Sequence, residues 1–235
     1  LISTFPNSSL IVLFLKIIGL HKCKIIVRQP NMVEASLSRT VKLKLLKYLY
    51  KKIIYKTDVL IVTSEEMRRE GIANNVKKEK IKLLRNSVDH ISLRKRCFPK
   101  RDNSKGVKLI FVGRLVFQKG LDRILVTIKK INNLHLTIIG DGEEKRDLEN
   151  ISKRLKIENR IKFLGYLECP YDFVAGADYS ILPSRWEGLP NSGLESLSLG
   201  TPVIAFSEIV GFKDYKKNIA DGSIIIVNDQ EQLHK

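Results

Sequence analysis

The chain is poor in the residues from which small stapled or metal-built proteins are made. Its 235 residues include three cysteines, four histidines, two methionines and one tryptophan. Cys23, Cys97 and Cys169 are an odd number at wide spacings. That excludes a disulfide framework and leaves no pair spaced as a metal clip, so reduced thiols in a cytoplasmic protein are expected. His21, His90, His135 and His234 stand in no recognisable site, and solvated or structural roles are expected for all four. No stretch is long and apolar enough to span a bilayer. The run from Leu10 to Leu20 has eleven residues and contains Lys16. No basic segment precedes it and no small-residue cleavage site follows, which argues against a signal peptide. It reads as a buried helix cut off from the strand that should precede it.

Acid is also scarce, but only in one half. Residues 1–100 hold 22 Lys/Arg against 7 Asp/Glu, whereas residues 101–235 hold 20 against 18. An asymmetry of this size, within a formal net charge of +17, argues for two units with different neighbours. The basic half suits an anionic partner: a membrane surface, a phosphorylated acceptor or nucleic acid. Nucleic acid is the weakest of these, since no binding motif and no basic stretch interleaved with stacking aromatics is present. The hydrophobic fraction of 43% is ample for a core and excludes disorder.

What the chain does contain is an alternation of helices and apolar strands. A helix at about 8–19 leads to the strand KIIVR (24–28), a helix at about 39–55 to VLIVT (59–63), and a helix at about 64–70 to a short strand at 81–84. The polar, basic segment 93–106, broken by Pro99, reads as a linker. The pattern then restarts with KLIFVG (108–113), LHLTIIG (134–140), IKFLG (161–165), DYSILP (178–183), TPVIAF (201–206) and IIIV (224–227). Such alternation predicts parallel sheets covered on both faces. The expected organisation is therefore an α/β protein of two Rossmann-like domains, 1–92 (incomplete) and 107–235.

In an open parallel sheet, ligands sit at the carboxyl ends of the strands, so the strand-to-helix turns carry the information. Gly113-Arg114-Leu115-Val116-Phe117-Gln118-Lys119-Gly120 follows a strand directly. Arg114 and Lys119 bring a forked donor and a point charge to the sheet mouth, as a diphosphate would require. Taken alone, two basic residues in a turn describe a solvated pair equally well. The Gly140-Asp141-Gly142 turn is not a dinucleotide fingerprint, because Lys145 stands where a third glycine belongs; a loop bending toward a ligand, or a plain tight turn, is expected. The richest turn is Ser184-Arg185-Trp186-Glu187-Gly188-Leu189-Pro190-Asn191-Ser192-Gly193-Leu194-Glu195. It sets two carboxylates eight positions apart around a loop that leads into a helix. Free N–H groups at such a helix start suit an anion, and carboxylates suit polyol hydroxyls. Ser192 is the expected N-cap, and Ser192-x-x-Glu195 also spells a capping box. The Gly-Leu-Pro-Asn insert favours the ligand reading of Glu195. Two cations and two acids at one sheet edge compose a site for a sugar nucleotide.

With these residues, and with LLRNSVD, IIGDGEEKRDLE, IKFLGY and ADYSILPSRWEGLPNSGLESLSLGTPVIA in the expected order, the chain resembles the family 4 glycosyltransferases of the GT-B fold. The resemblance covers nearly the whole chain. It implies Arg114 and Lys119 on the donor diphosphate, Glu187 near the donor sugar hydroxyls, and Gly188, Leu189, Pro190 and Asn191 around sugar and phosphate. It also implies Glu195 on the ribose, Leu164 and Tyr166 bordering the base, and Gly113 and Gly142 lining the donor site. A retaining, metal-independent transfer without a cofactor is implied, and no D-x-D pair is present to hold a cation. The partners implied are a nucleotide sugar and a saccharide or lipid-linked acceptor, and the setting cell-surface polysaccharide synthesis. The family's opening strand and Gly-rich loop and its closing helices have no counterpart here, which implies a chain truncated at both ends. Arg28-Gln29-Pro30-Asn31 falls where many members carry a His or an acid; Gln29 cannot move a proton and receives no catalytic role. A binding-only remnant and a sugar-nucleotide epimerase are the alternatives.

The basic first half concentrates in Ser38–Lys56, with Val41, Leu45, Leu49 and Ile53 on one helix face and Lys44, Lys47 and Lys51 on another. Such a helix can lie on the inner face of an anionic membrane. The blander reading is a sheet-covering helix whose apolar stripe the fold already uses.

Overall fold

The computed structural model describes residues 1–95, 97–100, 105–229 and 231–232; part of the expected linker, and His234, lie outside them. The chain forms two compact units. The first comprises Leu1–Asn86 together with Trp186–Leu189, the second Ser87–Arg185 with Pro190–Lys235.

In the first unit β1 (Ile2–Ser3), β2 (Ile26–Arg28), β3 (Val59–Val62) and β4 (Ile81–Leu83) form a parallel sheet in that order. A strand thus does precede the apolar run, although only two residues long, and the expectation of a helix cut off from its strand is corrected. The helices are α1 (Pro6–Ile17), α2 (Val33–Ser36), α3 (Val41–Ile53) and α4 (Glu65–Ala73). Ser64 caps α4 by accepting from the Met67 N–H, and Thr40 caps α3 by accepting from the Leu43 N–H. Glu70 of α4 accepts from the N–H groups of Val33 and Glu34, at 3.0 and 2.8 Å, where α2 begins. It also takes Gln29 Nε2 at 2.7 Å, and the Tyr50 hydroxyl donates to Gln29 Oε1 at 3.5 Å. Gln29 is therefore buried and held by its neighbours.

Two expectations about these helices are overturned. The apolar run is not a buried helix. Leu13 is fully buried, whereas Ile11 and Phe14 are 62% and 56% exposed, because α1 turns only one side to the sheet and to α3. Nor does α3 direct Val41, Leu45 and Leu49 inward; they are 84%, 58% and 44% exposed. The inward positions are Leu43, Leu46, Lys47 and Tyr50, a face rotated by two residues. Lys47 and Lys51 pair with Glu34, and the burial of Tyr50 and Ile54 lies on this same rotated face.

In the second unit six parallel strands lie in the order β10-β9-β8-β5-β6-β7. They are β5 (Val107–Val112), β6 (Leu134–Ile139), β7 (Ile161–Gly165), β8 (Tyr179–Leu182), β9 (Val203–Phe206) and β10 (Ile224–Val227). Between and before them lie α5 (His90–Lys95), α6 (Asp122–Lys130), α7 (Lys145–Arg154), α8 (Tyr171–Gly176), α9 (Asn191–Ser198) and α10 (Val210–Tyr215). The strands are continuous apolar runs because both faces are covered. On one face Leu109, Phe111, Leu136 and Ile138 pack with Ile124, Leu125 and Ile128 of α6 and Leu148 of α7. On the other, Ile110 and Ile139 meet Val174 of α8. Reversal of strand order beside β5 puts a crevice at the carboxyl ends of β5 and β8, where α6 and α9 begin. Among the described residues no helix is long and apolar enough to cross a membrane, and Cys23, Cys97 and Cys169 are free thiols.

Candidate functional site

The turns that follow β5, β6, β7 and β8 approach one another closely through their main chain. After β6, Gly140 (φ +139°) lies so close to the preceding turn that a Cβ would stand 1.9 Å from the Gly113 carbonyl oxygen. Its N–H donates to the Gly165 carbonyl at the end of β7, at 2.8 Å, and the Gly113 N–H donates to the Ile139 carbonyl at 3.0 Å. Gly142 approaches the Leu115 carbonyl in the same manner, at 2.3 Å from its missing Cβ. After β5 the chain makes a short helical turn over Phe117–Lys119 that Gly120 ends with φ +66°. A Cβ on Gly120 would meet the Pro183 carbonyl oxygen at 2.4 Å, so this turn abuts the end of β8. Only glycine permits contacts of this kind.

On this floor the predicted residues of the second unit take definite places. Lys119 lays its side chain along Gly113, with its Cε 3.6 Å from where a Gly113 Cβ would be. Arg114 is exposed beside it. Tyr166 is exposed just past β7, and Leu164, on β7, lines a cavity of about 270 Å³ on the sheet face with Ile110, Thr137, Lys162 and Phe173. That cavity is on the flank of the sheet and not at its carboxyl edge. Asn191 opens α9 and Glu195 follows one turn later. The half-buried setting of Glu195 raises its carboxyl above the ordinary range, through desolvation.

Ser192 is not the N-cap that its sequence context suggests. The helix begins at Asn191, Pro190 occupies the cap position, and no side chain caps it. Proline fixes the entry of the chain and has no N–H to satisfy, so the start lies two residues earlier than a Ser192 cap would place it. Ser192 then sits inside the first turn, its carbonyl accepting from the Ser196 hydroxyl at 2.8 Å. The capping-box reading of Glu195 therefore fails, and the first N–H groups of α9 have no intrahelical acceptor.

Glu187, Gly188 and Leu189 group with the first unit. There Gly188 is buried against the Pro30 carbonyl and Thr63, at 2.3 and 2.7 Å from the position of a Cβ. Its N–H donates to Asn31 Oδ1 at 3.1 Å, and Asn86 Nδ2 donates to the Leu189 carbonyl at 2.8 Å. The Gly188 amide is thus engaged by protein. Asn31 and Asn86 acquire roles that composition alone did not signal.

Among the described residues no group of three or more His, Cys, Asp or Glu side chains is placed to hold a metal ion. What the second unit's edge offers is closely packed glycine turns, the Lys119 and Arg114 cations, the start of α9 at the exposed Asn191 and the half-buried carboxylate of Glu195. That combination suits a phosphorylated, hydroxyl-bearing ligand.

Comparison with known proteins gives the family and the fold. Residues 95–235 match the family model described as "Glycosyl transferases group 1", and the chain belongs to that family. An O-antigen biosynthesis glycosyltransferase of Escherichia coli, WclY, is 38% identical over 86 residues, covering 37% of this chain and 24% of the relative. Two solved structures share the fold. The lipopolysaccharide outer core galactosyltransferase WaaB in its apo form matches with TM-score 0.72 and 21% identity, covering 99% of this chain and 63% of its own. Anabaena HepE in complex with UDP-glucose matches with TM-score 0.73 and 16% identity, covering 99% and 66%. The two parallel-sheet units are thus of GT-B type, and the chain spans less than two thirds of the length of each of these proteins.

Proposed function

We propose that the chain is the donor-handling part of a family 4 glycosyltransferase. In this reading it moves a sugar from a nucleoside-diphosphate carrier to a saccharide or lipid-linked acceptor, in the assembly of a cell-surface polysaccharide. The observation that carries it is the packing of the glycine turns after β5 and β6 against each other, with the Lys119 side chain lying along Gly113 and Arg114 exposed beside it. Arg114 and Lys119 neutralise the diphosphate as the glycosidic bond breaks and negative charge passes to the leaving group. These cations do the work for which other enzymes recruit a metal, consistent with a sequence that lacks a D-x-D pair. Glu195 accepts from the ribose hydroxyls, Glu187 from those of the donor sugar, and Tyr166 borders the base. The Asn191 amide and its successors at the start of α9 face the anion. Transfer with retention of configuration is the family's stereochemistry. WclY, WaaB and the UDP-glucose complex of HepE support the setting, the acceptor class and the donor class, respectively.

The exposed stripe of α3 adds a place of work. Val41, Leu45 and Leu49 point outward among the exposed Lys42, Lys44 and Lys52, a surface suited to the anionic inner leaflet on which a lipid-linked acceptor would be presented.

Calorimetric titration with UDP, GDP and their sugar conjugates tests the donor site. Binding of one nucleotide, reduced by about two to four orders of magnitude in Arg114→Ala/Lys119→Ala, is expected from loss of two charge-assisted contacts of about 1.5–3 kcal/mol each. A chain that binds none of them refutes the reading. Appearance of a new sugar nucleotide without acceptor would point to an epimerase.

A further inference from the structure

The two turns that carry the proposed donor residues of the second unit are joined by a reciprocal pair of arginine forks. Arg185, just after β8, reaches back across the Phe117–Lys119 turn. Its guanidinium donates to the Phe117 carbonyl at 2.8 Å and to Asp122 through both terminal nitrogens, at 2.9 and 2.5 Å. It stacks on the Phe117 ring with 4.0 Å to the centroid, and its own backbone N–H donates to the Gln118 carbonyl at 2.8 Å. Arg123, at the start of α6, reaches the opposite way. It donates to the Pro183 carbonyl at 3.3 Å and to Glu208 at 3.0 Å, and stacks on Phe206 at 4.2 Å. The Arg185 ties join the start of the 184–191 loop to residues within three positions of Lys119, and the Arg123 ties join the start of α6 to the ends of β8 and β9.

We propose that Arg185, paired with Asp122, is a positioning residue for the donor diphosphate: it fixes the Phe117–Lys119 turn, and so the place from which Lys119 meets the phosphates. This rests on the glycosyltransferase reading of the same edge. A planar guanidinium is needed because it satisfies a carbonyl and a bidentate carboxylate in one orientation while lying flat on an aromatic ring. Lysine in its place keeps the charge and loses the fork. Arg185 itself touches no phosphate; its effect on ligand is transmitted through the turn that it holds.

The test compares affinities for the nucleoside mono- and diphosphate of whichever base the wild-type chain binds best, in the wild type, Arg185→Lys and Asp122→Asn. The monophosphate reports the folded base and ribose region, and the ratio of the two affinities reports the placement of Lys119. The expected result is a diphosphate preference that falls about tenfold in both variants while monophosphate affinity stays within about twofold. An unchanged ratio in Arg185→Lys and Asp122→Asn overturns the positioning role and leaves the donor site standing. Equal loss of both affinities overturns it too, since the pair would then serve general folding. A wild-type chain that binds neither nucleotide removes the donor site and this role together.

Discussion

Gly140→Ala probes the main-chain floor most directly. The added methyl would lie 1.9 Å from the Gly113 carbonyl oxygen and 2.9 Å from its carbon, and φ is +139°. Gly200→Ala is the matched control: φ is +85° there, but nothing lies within 4 Å of the new Cβ. The control carries only the left-handed backbone penalty, about 1–2 kcal/mol. Gly140→Ala adds to a comparable penalty the displacement of a neighbouring backbone, about 1–3 kcal/mol as overpacking. At about 2–4 °C per kcal/mol for a unit of this size, the control should melt about 2–8 °C below wild type. Gly140→Ala should melt below the control, and its nucleotide affinity should fall because the Arg114 turn is pushed outward. Thermal melting and titration with the preferred nucleotide read the two effects. If Gly140→Ala melts with Gly200→Ala and binds like wild type, the turns after β5 and β6 do not support each other and the argument from the floor fails.

Three further outcomes follow from the same structure. Glu195→Gln should weaken nucleotide binding while leaving stability at neutral pH equal to or above wild type. A carboxyl raised by burial favours the folded state only while protonated, and that contribution is lost as pH rises past the ordinary carboxylate range; a fall in melting temperature at neutral pH would contradict this. Burial also raises the Tyr50 hydroxyl well above its usual value. The first unit should therefore lose stability as pH rises past about 10, and Tyr50→Phe should flatten that decline in alkaline denaturation curves. Val41→Asp/Leu45→Asp should abolish co-sedimentation with vesicles rich in anionic phospholipid and leave nucleotide affinity unchanged; equal sedimentation of variant and wild type would refute the membrane face.

The strands of the second unit were legible in the sequence because buried parallel strands are written as short, uninterrupted apolar runs, and β5 to β10 each announce themselves in this way; their order across the sheet, and β1, were not. The glycines were legible as turns, although their partners were not: nothing in Gly140-Asp141-Gly142 says that Gly113 lies beneath it. Helix orientation was read less well. On α3 both the stripe through Val41 and the one through Leu43 have helical spacing, and tertiary packing, with Tyr50 fully buried, selects the second. The start of α9 was misplaced because Ser192 fits a cap as well as Pro190 does by local pattern. Arg185 and Asp122 lie 63 positions apart, a separation at which single-sequence reasoning has no purchase.

The contact of Gly140 and Gly142 with the carbonyls of Gly113 and Leu115 divides the labour of recognition. A surface made of peptide groups presents the same dipoles whatever side chains surround it, and phosphate is the one component that every nucleotide sugar shares. On the proposed donor reading, base and sugar preference are then free to drift through Tyr166, Glu187 and their neighbours without disturbing the grip on the pyrophosphate. A chain built this way can change its cargo by substitutions at the rim, while the four glycine and leucine positions beneath stay as they are.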